Sequence, residues 1–141
     1  MDVFLAQDWL TLTNSSAGAL TIVQSESEWL DLAAYRDVVC WLQIKRASLT
    51  TIAIDFQTAI AREEALFTNM AEVTTASGAE VIVTPILQDL QTGGGSAAPL
   101  ARWVRWTVRL PASTAEFTFR LWIAANKPGR AAPSRAGAQR R

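Results

Sequence analysis

Two stretches near the end of the chain alternate so regularly that both faces of each can be read. Val104, Trp106, Val108 and Leu110 alternate with Trp103, Arg105, Thr107 and Arg109. After the short break PAST, Phe117, Phe119, Leu121 and Ile123 alternate with Glu116, Thr118, Arg120 and Trp122. A period of two puts one apolar and one polar face on each strand. The pattern predicts an antiparallel hairpin with even-numbered side chains of 104–110 and odd-numbered ones of 117–123 turned inward. Each large apolar side chain buried there contributes roughly 1.5–3 kcal/mol, so a one-residue slip that buried the arginines is excluded energetically.

Earlier runs behave in the same way. LTIVQ (20–24) and EWLDL (28–32) read as short strands. In DVVCWLQIKR (37–46), Val38, Cys40, Leu42 and Ile44 share a face opposite Val39, Trp41, Gln43 and Lys45. LTTIAIDFQT (49–58) alternates too, and the two intervening residues, Ala47 and Ser48, fit a second hairpin, although they are not a primed-turn dipeptide. AIAREEALFTNMAE (59–72) suits either an amphipathic helix of about three turns or, preferably, an excursion between strands with one helical turn. AEVIVTPIL (79–87) is a strand that Pro85 must bend or place at an edge, because proline cannot donate to the ladder. QTGGGSAAP (91–99) reads as a surface loop. No Lys-Ser/Thr follows its glycines and no helix opens after them, so it is not a phosphate cradle. The sum is an all-β chain, an antiparallel β-sandwich of jelly-roll type, with one short helical or irregular segment around 59–72.

At 141 residues, 50% hydrophobic and 18% charged, the chain suits one packed domain over 1–126. Residues 127–141 (KPGRAAPSRAGAQRR) carry five basic residues and no acid, and read as a basic Gly/Pro/Ala-rich C-terminal arm. The formal charge of zero hides a polarity: residues 1–99 hold 4 basic and 12 acidic residues, and residues 100–141 hold 9 basic residues and one acid. Such a division points to a charged partner or to another copy of the chain, or to cross-strand pairs that offset it internally. No apolar run approaches the ~18 residues of a membrane span. The start, MDVFLAQDWL, has an acid and no basic stretch, so a secretory signal is not expected.

The catalytic inventory is thin. The chain has no histidine and one cysteine, Cys40, inside an apolar run, so triads, thiolate metal sites and disulfide frameworks are not expected. Glu63, Glu64 and Asp55 read as solvated charges, because adjacent residues diverge on a strand or helix and cannot face one substrate. We therefore expect no enzyme, no cofactor and no metal. What calls for explanation is Trp41, Trp103 and Trp122 on faces that also carry Arg105, Arg109 and Arg120. Three indoles of ~150–250 Å² each would rival the largest apolar patch usual on a monomer, so a cover is expected. A loop or the 59–72 segment could supply it, as could a flat ligand, a sugar or a nucleobase. A second protein chain is preferred, because Trp and Arg dominate interface hot spots. The pI of about 6.2 argues against nucleic acid.

The texture of SEWLDLAAYRDVVCWLQIKRASLTTIAIDFQTA, followed by PLARWVRWTVRL and FTFRLWIAANKPG, resembles small jelly-roll proteins of tailed-phage virions, capsid decoration proteins among them. The resemblance spans roughly residues 27–129 and is one of pattern, so no binding residue is carried over. It implies a non-enzymatic structural protein, made in the host cytoplasm and present in many copies on a particle. Its partners would be other virion proteins or copies of itself, and its termini would be arms that lace subunits together. Carbohydrate-binding jelly rolls share an aromatic–Val–Arg strand, matched here by Trp103-Val104-Arg105, which keeps a glycan partner as the alternative.

Overall fold

The computed structural model describes residues 1–49, 51–75, 78–86, 98–112 and 114–128. Among these residues nine strands follow in order: β1 (Asp2–Asn14), β2 (Leu20–Val23), β3 (Leu30–Asp31), β4 (Asp37–Ala47), β5 (Ala53–Ala59), β6 (Thr68–Thr74), β7 (Glu80–Ile86), β8 (Trp103–Leu110) and β9 (Ala115–Asn126). They form two antiparallel sheets, one ordered β1-β9-β4-β7 and the other β2-β8-β5-β6, with the two-residue β3 also pairing with β8. From β1 to β2, β3 to β4, β4 to β5, β6 to β7, β7 to β8 and β8 to β9 the chain changes sheet. The architecture is a jelly roll.

The inward parity is the one the sequence dictates. Val104, Trp106, Val108 and Leu110 of β8 and Phe117, Phe119, Leu121 and Ile123 of β9 are all buried, with Val38, Cys40, Leu42 and Ile44 of β4 and Ile54 and Phe56 of β5. Trp106 meets Phe119 edge-on at 5.1 Å between ring centres, and Phe119 stacks on Phe117 at 4.9 Å. The two expected hairpins do not form. β8 pairs with β2, β3 and β5, whereas β9 pairs with β1 and β4. Likewise β4 pairs with β7 and β9, and β5 with β6 and β8. Both connections are arches from one sheet to the other. Alternation says which face is apolar, but that face is satisfied equally by a neighbour beside it or a sheet opposite it. Here the opposite sheet wins, and neither connection has the turn chemistry that would have enforced a hairpin.

The 59–72 segment is the excursion rather than the long helix. A single 3₁₀ turn covers Glu64–Leu66, and β6 begins at Thr68. A second 3₁₀ turn, Glu26–Glu28, lies between β2 and β3. Pro85 sits on β7, an edge strand, the place in a sheet where proline is tolerated. The expected glycine-rich loop lies outside the described residues up to residue 97, as does the basic arm from residue 129 onward.

Candidate functional site

The six aromatic and arginine positions singled out by sequence divide between the two sheets. Trp103, Arg105 and Arg109 stand on β8, and Trp41, Arg120 and Trp122 on β4 and β9. They do not share one face, because β8 belongs to one sheet and β4 and β9 to the other.

On β8 the outward side is covered by the protein itself at Arg105 and Thr107, while Trp103 is half-buried and Arg109 exposed. Arg105 is only 6% exposed. Its guanidinium lies 4.0 Å from the Phe67 ring centre and 5.2 Å from that of Trp29, and the two rings meet edge-on at 4.7 Å. Arg105 Nε donates to Gln57 Oε1 at 2.9 Å, and Nη1 pairs with the Glu64 carboxylate. The two 3₁₀ turns supply this lid, Trp29 coming from the end of Glu26–Glu28 and Phe67 from the end of Glu64–Leu66. Trp29 is anchored by donating from Nε1 to the Gln24 carbonyl at 2.9 Å. Trp103 is flanked by Arg62 and Arg102 at 5.3 and 5.4 Å. Arg102 in turn grips Asp31 through Nε and Nη2, at 3.1 and 2.8 Å. Arg109 pairs with Asp55 at 3.3 Å and Glu72 at 3.0 Å. Burial raises the Asp55 carboxyl above its ordinary value, and the nearby Arg109 partly offsets that rise. Asp55 and Glu64, two of the three carboxylates considered for catalysis, are thus ion-paired to arginines.

The outer face of the β1-β9-β4-β7 sheet is different. Trp41 and Trp122 are directly opposite each other on paired strands, with Leu5 opposite Trp122 and Val83 opposite Trp41. Leu5, Trp122, Trp41 and Val83 therefore form one register row across all four strands. The row beside it is Val3, Ala124, Val39 and Pro85, equally apolar. Trp41 and Val83 are each 45% exposed and Val3 is 60% exposed. A shallow hollow of about 320 Å³ opens here between Met1, Val3, Trp41, Trp122 and Ala124.

One end of this platform is polar. The Arg120 guanidinium stands 4.7 Å from the Trp9 ring centre and 5.3 Å from that of Trp122, bridging two indoles. Gln43 fixes it by accepting from Nε and Nη2 at 3.1 and 2.7 Å. Trp9, which the sequence reading did not single out, thus belongs to the platform. So do Val81 and Val83, both exposed on β7. Among the described residues no group of three or more Cys, Asp and Glu could hold a metal ion.

No protein-family model and no curated protein matches this chain. Among solved structures it is similar to a chain in "Structure of infectious bursal disease virus Gx strain", with a TM-score of 0.51 and 10% sequence identity. The match covers 92% of this chain and 32% of that one, so the present chain spans about a third of its neighbour's length. At that identity the likeness is one of fold.

Proposed function

We propose that this chain is a non-enzymatic structural protein of a virus particle, phage or phage-like, attached in many copies to a capsid or tail. The observation that carries the reading is the two-row apolar platform left open on the β1-β9-β4-β7 sheet, whereas Arg105 in the middle of β8 on the other sheet is covered by its own lid. A jelly roll like that of a virus-structure chain supports it. Trp41, Trp122 and Arg120 form the docking surface, and the basic residues of 127–141 extend the attachment to a neighbouring copy. Arg105 has no part in docking, because its guanidinium is consumed inside the fold.

Incorporation into particles tests this directly. Replacing Trp41 and Trp122 together with Ser should abolish incorporation while leaving the isolated protein folded, since both side chains stand outside the core. Normal incorporation of a folded double variant would refute the surface assignment. A second reading, a carbohydrate-binding module, is favoured by one feature: two adjacent indoles with Arg120 and Gln43 at their edge, an arrangement suited to stacking a sugar ring. Titrating intrinsic tryptophan fluorescence with a glycan panel separates the two. A saturable change that is lost in Trp41→Ser would favour the glycan.

A further inference from the structure

Seven of the eleven exposed large apolar side chains among the described residues lie on β1, β4 and β7 or just before β1, all at the outer face of that sheet. Together they expose on the order of 700 Å² of apolar surface, more than the largest patch usual on a monomer and close to the ~800 Å² that each partner gives to a standard protein interface. That is the area of a protein partner.

The face is also complementary to itself. Its two central rows differ in size: Leu5, Trp122 and Trp41 stand in one, and Val3, Ala124 and Val39 in the other. Ala124 is only 6% exposed, and the hollow of about 320 Å³ lies over it between Trp41, Trp122, Met1 and Val3. A two-fold axis lying in an interface, across the strands and between these rows, reverses their order in a second copy. Trp122 of each copy then meets Ala124 of the other, Trp41 meets Val39, and Leu5 meets Val3. Large side chains enter both hollows at once, the interdigitation that sheet-on-sheet packing requires. The next rows outward exchange in the same way, Gln43 with Arg120 on one side and Asp37 with Asn126 on the other. Arg120 of one copy thus comes to the row that holds an acid in the other. An axis along the strands would instead set indole row against indole row and leave both hollows empty.

We infer that the partner of this platform is a second copy of the chain, stacked face to face about the axis across the strands in an isologous pair. The inference rests on the docking role proposed above and names its partner: the unit that enters the particle is a pair. Below the dimer's dissociation constant the fold is that of the monomer, since neither row belongs to the core cluster.

Sedimentation equilibrium of the full chain should show a monomer–dimer equilibrium. Ala124→Trp, which plugs the hollow from the outer face, should weaken the dimer at least about tenfold, a loss of about 1.4 kcal/mol. Val3→Glu, on the same row at a site 60% exposed, should do the same, and serves alone if circular dichroism shows Ala124→Trp unfolded. Adding Trp122→Ala to Ala124→Trp swaps large and small within each copy and should restore the dimer, because the axis brings position 122 onto position 124. A chain that stays monomeric up to about 1 mM would overturn the inference. So would a dimer indifferent to Ala124→Trp and Val3→Glu, which would put the contact elsewhere, or a folded swap variant that remains as weak as Ala124→Trp. Attachment is read separately, from the incorporation of Trp41→Ser with Trp122→Ser into particles. A monomeric chain whose double variant is excluded from particles refutes the pair and leaves attachment standing. A dimer that passes the swap test, and whose double variant is still incorporated, keeps the pair and refutes attachment.

Discussion

Arg105 offers the sharpest test of how the β8 face is closed. Truncation to Ala removes two ring contacts, at 4.0 and 5.2 Å, and a hydrogen bond to Gln57. It also removes a pairing with Glu64, whose side chain is 69% exposed. The ring contacts contribute about 1 kcal/mol each in a partly desolvated site. The Gln57 bond contributes about another 1–1.5 kcal/mol, and the solvent-screened Glu64 pair under about 1 kcal/mol. Against this stands the rotamer freedom that an ordered arginine gives up, about 1.5–2 kcal/mol, which the alanine does not lose. The net loss should be about 2 kcal/mol, a fall in Tm of roughly 4–8 °C for a domain of this size. Urea unfolding followed by tryptophan fluorescence measures it. A cycle with Glu64→Ala should return a coupling below about 1 kcal/mol, because most of the energy is in the rings. A loss under about 0.5 kcal/mol for Arg105→Ala would refute the stacking account. So would a coupling to Glu64 that accounts for the whole effect.

Core and platform should respond oppositely to truncation. Phe119→Ala should cost about 3–5 kcal/mol in urea unfolding, since the ring is fully enclosed between Trp106 and Phe117. Trp41→Ser should cost under about 1 kcal/mol, which the same measurement checks. Burial pushes the Cys40 thiol up to about 12. Native protein should therefore resist iodoacetamide at pH 8, and rapid labelling without denaturant would contradict the fold around β4. The Arg102 hydrogen bond, the largest influence on Asp31, holds its carboxyl below the ordinary 3.8. A lowered folded-state value means that the stabilisation is present above that ordinary value and is lost as pH falls through and below it. Asp31→Asn should accordingly flatten the decline of the urea midpoint between about pH 5 and pH 2.5.

Which residues face inward was legible from local order alone, and Phe117 to Ile123 show why: the period is strict and the transfer energies large. Which strand lies beside which was not. The segments 37–46 and 49–58 are close in sequence with matching patterns, yet they do not pair with each other: β4 takes β7 and β9, and β5 takes β6 and β8. β1 escaped notice because Val3, Leu5 and Trp9 are exposed while Phe4, Leu10 and Leu12 pack on the core, and two bulges interrupt the period. β6 was hidden by a composition, Asn-Met-Ala-Glu, that favours helix as readily as strand. The burial of Arg105 depends on Trp29, Gln57, Glu64 and Phe67, which no spacing rule brings together. Trp41 and Trp122 were singled out individually, but their cross-strand meeting follows from the β4–β9 pairing.

The position of β9, between β1 and β4, also has a kinetic consequence. Two early segments must wait for a strand made more than a hundred residues after the first of them before their sheet can close. Contact order is therefore high, and folding should be slow. Until then the indoles at 9 and 41 stay unsupported on nascent chain, a period in which a chaperone would be most useful.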